Sequence, residues 1–191
     1  MSKEVEIEFK NLLTEQEYTR LMSHFQASEN QCWVQENHYY DTSDMQLKER
    51  HSALRIRVLP QTAEMTLKTP YGSHLLESTE PLSKEAALNM IQKQKFIPLG
   101  DVAVKLAELA IKEETLMPIT TLTTLRFEKQ LADGLLVLDK STYNEEVDFE
   151  LELEVTDSTT GKRFFDSLLT QFSIPKRPTP NKIRRAFNSR K

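Results

Sequence analysis

The sequence predicts an α+β protein built around an antiparallel sheet, and three observations carry that expectation. Eight segments alternate apolar and polar residues with the period of a strand, roughly 4–10, 33–41, 52–59, 63–69, 74–80, 118–131, 134–142 and 147–156. Helical spacing of apolar residues is confined to four stretches. Eight strands stand against four helices, with strand runs joined by tight turns, which is the pattern of an antiparallel sheet. Eight such strands can close into a barrel, a shape without exposed edges. At 191 residues the chain has the length of a single domain, 1–191, and can bury a core without staples.

The elements follow in order. The first strand reads Glu4-Val5-Glu6-Ile7-Glu8-Phe9-Lys10, apolar on one face and charged on the other. Thr14-Glu15-Gln16-Glu17 is a capping box, so a helix follows with Tyr18, Leu21, Met22 and Phe25 on one side. A helical turn is expected over 43–49, between the second and third strands. Ser83 can cap a second helix carrying Ala87, Met90 and Ile91, and a third starts at Asp101 with Val102, Leu106 and Leu109 in phase. Leu131-Ala132-Asp133-Gly134-Leu135 is a hairpin turn, Asp-Gly being expected to supply the positive φ angles. A fourth helix follows Ser158-Thr159, with Phe165, Leu168, Leu169 and Phe172 as its stripe. Pro175, Pro178 and Pro180 mark a turn-rich approach to the last segment.

Composition excludes several function classes. Gly72, Gly100, Gly134 and Gly161 are the only glycines, so neither glycine-loop nucleotide motif occurs. H-E-x-x-H is absent, and phosphate would have to be held by side chains. The lone Cys32 rules out an internal disulfide and a Cys-rich zinc site, which fits a reducing, cytoplasmic compartment. Met1-Ser2-Lys3-Glu4 opens charged and no run of 18 apolar residues occurs, so neither a signal peptide nor a membrane span is expected. Net charge is −4, yet the last 17 residues hold seven bases and no acid. Without those seven, 18 bases stand against 29 acids, a net of −11 for the body. Such a tail is either a nucleic-acid arm or a segment that folds back onto the body. Without an aromatic stacking face, and on an acidic body, the second is favoured.

The alternating residues themselves carry the chemistry. Asp148-Phe149-Glu150-Leu151-Glu152-Leu153-Glu154-Val155 puts four carboxylates on one face, Leu54-Arg55-Ile56-Arg57-Val58 puts two arginines on one face, and Glu64, Thr66 and Lys68 share another. A charged outer face is the ordinary outcome for one strand. Two triple-glutamate strands are harder to place in water, because like charges at i and i+2 repel unless a cation lies between them. Carboxylate oxygens suit Mg²⁺ or Mn²⁺, and paired arginines present two forks to one anion. Acidic and basic strands in one barrel lumen would bind a polyphosphate with its metals.

These segments resemble the CYTH superfamily, the triphosphate tunnel metalloenzymes. Glu6-x-Glu8-x-Lys10 is similar to its E-x-E-x-K signature, His38-Tyr39-Tyr40-Asp41-Thr42 to Y-Y-D-T, and Leu54-Arg55-Ile56-Arg57 to L-R-x-R. Thr66-Leu67-Lys68 resembles T-L-K, Glu77 precedes Pro81-Leu82 as a family glutamate does, and Arg126 sits in a T-x-R-like stretch. Leu138-Asp139 with Tyr143, the Glu150–Glu152–Glu154 strand and Asn181-Lys182 complete the order, Asn181 standing where the family has serine. The resemblance spans about 4–187 and is nearest to small stand-alone bacterial members of the YjbK type.

The resemblance implies an eight-stranded antiparallel barrel, a tunnel open at both ends with helices packed outside. Glu6, Glu8, Glu150 and Glu152 would hold Mg²⁺ or Mn²⁺, with Glu77 and Glu154 as further candidates. Lys10, Arg55, Arg57, Lys68, Arg126, Lys182 and Arg184 would grip the phosphates. Asp139 would bind metal or orient a base, and Lys10 is a candidate general base because cationic neighbours favour its neutral form. The expected activity is metal-dependent hydrolysis of a linear triphosphate, inorganic tripolyphosphate first, by a monomer or homodimer with no nucleic-acid or membrane partner. Two alternatives stay open: a class IV-type adenylate cyclase or thiamine triphosphatase on the same fold, and a polyphosphate-binding module without catalysis.

Overall fold

A computed structural model describes residues 2–72 and 74–189. Its strands are β1 (Ser2–Glu6), β2 (Glu8–Leu13), β3 (Cys32–Thr42), β4 (Ala53–Val58), β5 (Ala63–Tyr71), β6 (His74–Leu82), β7 (Leu116–Leu131), β8 (Gly134–Tyr143) and β9 (Glu146–Glu154). Its helices are α1 (Glu15–His24), α2 (Gln46–Glu49), α3 (Lys84–Gln92), α4 (Gly100–Glu108), α5 (Ser158–Gln171) and α6 (Lys182–Asn188). The strands form one antiparallel sheet in the order β1-β6-β5-β4-β3-β7-β8-β9-β2.

Nine strands stand where eight were expected because the first one changes partner at Ile7. Residues before it pair with β6 and residues after it with β9, so the two edges of the sheet are consecutive pieces of one run. The ladder is not a closed hydrogen-bonded ring, and the covalent chain at Ile7 links its edges. Val155 N donates to Ile7 O across the junction (2.9 Å).

Alternation then decides which side chains face in. The apolar outer faces are covered by helices. Leu47 of α2, Ala87 and Met90 of α3, and Val102 and Leu106 of α4 pack on Leu54, Ile56, Met65 and Leu67. On the other side, Tyr18 and Leu21 of α1 and Phe165, Leu168 and Leu169 of α5 cover Leu136, Leu138, Leu151 and Leu153. Each such leucine, fully withdrawn from water, contributes about 2 kcal/mol. The expected capping box starts α1: Thr14 N donates to Glu17 Oε2 (2.7 Å) and Glu17 N to Thr14 Oγ1 (3.2 Å).

The β7–β8 hairpin closes over Ala132 and Asp133, with Leu131 opposite Gly134. Gly134 has φ +152°, and a Cβ on it would stand 2.4 Å from the Glu154 carbonyl oxygen. Asp133, expected to share the positive φ, does not adopt it.

The sixth helix had no counterpart in the sequence pattern. Ile183 and Ala186 of α6 pack with Tyr39, Leu122 and Tyr143. Tyr39 is paired with Arg55 and Leu122 with Asn37, so both share the lumen face. This helix therefore lies across one end of the barrel, where the resemblance implied an open mouth. Among the described residues no helix is long and apolar enough to cross a membrane.

Candidate active site

Inward positions of the strands line a cavity of about 890 Å³. Its basic wall is built on β4, where period-two spacing sends Arg55 and Arg57 inward while Leu54 and Ile56 go to the core. Its acidic wall is built on the N-terminal run, β6 and β9, with Glu6, Glu8, Glu77, Glu152 and Glu154. In the strand order β4 stands opposite β9, so the arginines face glutamates across the cavity.

On the acidic wall one lysine serves two acids. Lys68 Nζ lies 2.7 and 2.8 Å from the two carboxylate oxygens of Glu6 and also pairs with Glu77. Lys10 Nζ donates to Glu8 Oε1 (2.5 Å) and Asn181 Oδ1 (2.8 Å). Burial pushes the Glu6 carboxyl up to about 7; Lys68 opposes the rise, and Glu8 and Glu77 add to it. The Glu154 carboxyl is also raised by burial, with Arg126 opposing and Glu152 and Glu8 reinforcing.

On the basic wall the crowded charge has the other sign. Arg57 donates through Nε to Asn37 Oδ1 (3.0 Å) and through Nη1 to Glu64 Oε1 (3.3 Å). Burial lowers this guanidinium to about 10, and the positive charges of Arg55 and Arg126 add to the fall. Arg55 Nε is buried with no hydrogen-bond partner among the described residues. Each wall thus has a group that burial and like charge push toward neutrality, Glu6 on one and Arg57 on the other, while against burial Lys68 and Arg55 hold Glu77 low and Tyr39, Glu77 and Glu64 hold Arg55 high.

A second ionic network reaches the cavity through Arg126, Glu152 and Lys182, continues behind its wall to Asp139 and Glu150, and is nearly saturated. Arg126 forks onto Asp139, Nε to Oδ1 (2.9 Å) and Nη2 to Oδ2 (2.7 Å), and Nη2 also reaches Glu152 Oε2 (3.0 Å). Lys182 Nζ stands 2.9 Å from Asp139 Oδ2 and 3.1 Å from Glu150 Oε2, and pairs with Glu152. Burial alone would lower the Lys182 ammonium, but Asp139, Glu152 and Glu150 together raise it well above its usual range. Burial would likewise raise Glu152, yet Lys182 and Arg126 hold it well below the ordinary carboxyl range.

The acidic wall has the donor chemistry for a hard divalent cation. Among the described residues no three acidic, histidine or cysteine side chains already form a ligand cage. Lysines pair instead with Glu6, Glu8, Glu77 and Glu152. A cation among Glu6, Glu8, Glu77 and Glu154 would relieve the repulsion that helps raise Glu6 and Glu154, so the donor set fits Mg²⁺ or Mn²⁺.

Residues 4–187 match the CYTH domain. The chain belongs to the CYTH family. It is 41% identical, over all of its length and 98% of the relative's, to YjbK of Bacillus subtilis (strain 168), a protein provisionally named a triphosphatase. A Bacillus halodurans protein provisionally named an adenylate cyclase shares 40% identity, with a TM-score of 0.93 over 98% of this chain and 100% of that one. HpAC1 of Hippeastrum, a provisional adenylyl cyclase described as having a dominant triphosphatase activity, is 18% identical. It covers 97% of this chain and 95% of its own at a TM-score of 0.77, a likeness of fold alone.

All the nominated bases except Arg184, and all the nominated acids except Asp139 and Glu150, line the cavity. Asp139 is fully buried behind the wall and orients Arg126 and Lys182; Glu150 sits beside it. Arg184 is exposed, and Arg185 turns inward instead, onto Asp148 and Glu150. Asp41 of the Y-Y-D-T segment is a buried cap, accepting from the backbone N–H of Thr42 (2.7 Å), Leu47 (2.8 Å) and Lys48 (3.0 Å), and so builds α2. Asn37, Glu64 and Glu128 line the cavity without having been nominated. Glu64 was legible as a face-mate of Lys68, whereas Asn37 is an ordinary polar residue on an alternating strand.

Proposed function

We propose that this CYTH protein hydrolyses a linear triphosphate inside the cavity with a divalent metal ion, inorganic tripolyphosphate being the first substrate to test. The observation that supports this is the incompletely balanced charge of both signs on the two walls. A polyanion alone would relieve the arginine wall and worsen the glutamate wall, and a metal alone would do the reverse. A metal–triphosphate complex relieves both.

Arg55 and Arg57, with Lys10 and Lys68, would hold non-bridging phosphate oxygens and neutralise charge that grows on the transferring group and the departing diphosphate. Glu6, Glu8, Glu77, Glu152 and Glu154 are the donors available to Mg²⁺ or Mn²⁺. Such an ion, when bound, supplies polarisation of phosphate oxygens and acidification of a water ligand. Arg126 and Lys182 keep Glu152 ionised at the wall. The oxygen of water would bond to the terminal phosphorus as the bridging P–O bond breaks, leaving orthophosphate and diphosphate. Helix α6 shields that reaction from solvent at its end of the barrel.

A second activity draws on the cavity's size. At about 890 Å³ it exceeds what a bare triphosphate needs, and Val5, Ile7, Leu75, Leu135 and Val155 add an aliphatic lining. That surface favours an organic triphosphate, either hydrolysed, as with thiamine triphosphate, or cyclised, as with ATP.

A phosphate-release screen separates these outcomes. Purified protein is offered tripolyphosphate, ATP and thiamine triphosphate with Mg²⁺, Mn²⁺ or EDTA, and cyclic AMP is assayed in the ATP wells. Metal-dependent orthophosphate, fastest from tripolyphosphate, is expected. Cyclic AMP with stoichiometric diphosphate would move the chain to the cyclase reaction. No turnover anywhere, with tripolyphosphate still raising the melting temperature, would leave a binding module.

A further inference from the structure

Arg185 belongs to the deep network yet neither lines the cavity nor falls in the CYTH motifs quoted above. Its side chain is only 9% exposed. Nε donates to Asp148 Oδ2 (2.7 Å), Nη2 to Asp148 Oδ1 (3.4 Å) and to Glu150, and Nη1 to the Pro180 carbonyl (2.5 Å). Asp148 is held in turn by the Tyr143 hydroxyl (2.5 Å). Two adjacent inward carboxylates of β9 are thus gripped by one guanidinium, a geometry that fixes orientation as well as charge.

Lys182 lies one turn earlier on α6. That helix has seven residues and Asn181 gives it no side-chain cap, so it cannot hold its own conformation. Its buried Ala186 and half-buried Ile183 seat it on Tyr39, Leu122 and Tyr143, and its far end is held by Asn144 Nδ2 on the Ala186 carbonyl (3.1 Å) and by the Lys48 ammonium over the Phe187 ring, so on the side facing β9 its ties are Lys182 and Arg185. Glu150 Oε2 joins the two cations, pairing with Lys182 (3.1 Å) and with Arg185. Glu150 Oε1 is buried without a hydrogen-bond partner among the described residues, so this carboxylate is anchored through Oε2.

We propose that Arg185 is a positioning residue of the site: its fork onto Asp148 and Glu150 sets the rotation of α6 and so holds the Lys182 ammonium at the cavity wall. This rests on the triphosphate function proposed above. Arg185 acts through Lys182 and touches no substrate.

The test is a double-mutant cycle over R185Q, K182A and R185Q/K182A, reading kcat/KM for tripolyphosphate with Mg²⁺ and the melting temperature of each protein. R185Q alone is expected to lower kcat/KM about 10- to 100-fold, the scale of an ångström-level misplacement. In the K182A background the same change should cost almost nothing, because the residue it positions is gone. An equal loss in both backgrounds would assign Arg185 to stability and overturn the proposal. R185K, which keeps the charge without the fork, should fall between R185Q and the natural protein; a full rate in R185K would also overturn it. Should the natural protein hydrolyse no triphosphate, the proposed function fails first, and the cycle is read instead from the melting-temperature rise given by tripolyphosphate. Non-additive loss of that rise would sustain the positioning role, and absence of any rise in the natural protein would remove it.

Discussion

The two ionic networks of this barrel are made of the same residue types and differ in how completely they are matched. In the deep network Asp139 serves Arg126 and Lys182, Glu152 serves both again, and Arg185 closes on Asp148 and Glu150. Around the cavity, Lys68 is shared by Glu6 and Glu77, while Arg57 faces Arg55 and Arg126 with Asn37 and Glu64 as its hydrogen-bond partners. The saturated network holds its side chains in place, those of Arg126, Glu152 and Lys182 at the cavity wall included, and the less balanced one is left to bind. Buried charge is costly unless matched, so incompletely matched charge of both signs on facing walls marks the place where a ligand completes the structure.

That contrast is open to test at several strengths. The largest effect is expected deep in the barrel. Asp139→Ala removes the buried acid shared by Arg126 and Lys182, leaving Glu152 to serve both, and should cost about 3 kcal/mol of stability, read as a lowered midpoint in urea. Intact stability in that variant would erase the distinction between the networks. At the cavity, Arg57→Ala should reduce kcat/KM about 100-fold or more while barely moving the melting temperature. An equal loss of stability there would make Arg57 scaffold.

Smaller and dependent on pH is the effect of Glu6→Gln. Because the folded Glu6 carboxyl lies near 7, above the ordinary value of 4.5, its contribution to stability is full below 4.5 and is lost as pH rises through 7. The melting temperature of the glutamine variant, relative to the natural protein, should therefore climb between pH 5 and pH 8. A flat difference would mean that Lys68 alone balances the charge. Smallest of all, Arg184→Ala should change neither rate nor stability measurably, since that side chain points into solvent.

Much of this was legible in the sequence because strand period and charge coincide. Once Leu54 and Ile56 are core, Arg55 and Arg57 have to face the other way, and the same holds for Glu152 between Leu151 and Leu153. The break at Ile7 was not legible, because Glu6 and Glu8 stay in phase while the strand changes partner. Nor was α6. If the tail were extended, Lys182 and Arg184 would share a face; in a helix it is Lys182 and Arg185 that do. A seven-residue helix without a side-chain cap leaves too little pattern to choose between periods, so nothing in the sequence set Arg185 above Arg184, which the family resemblance implied as a phosphate ligand. The division of carboxylates into wall and scaffold was hidden for another reason. Glu150, Glu152 and Glu154 share one face of β9, and the cations of α6, together with Arg126 of β7, decide which of them are paired.

The most direct measurement is calorimetric titration of a non-hydrolysable imidotriphosphate into the protein, with Mg²⁺ present and with EDTA. Since each partner of the metal–triphosphate pair relieves only one wall, binding should be at least tenfold tighter with the metal, a coupling of about 1.4 kcal/mol or more. Equal affinity in EDTA would show that the glutamate wall needs no cation, and the charge imbalance would then have to serve something other than a metal–triphosphate complex.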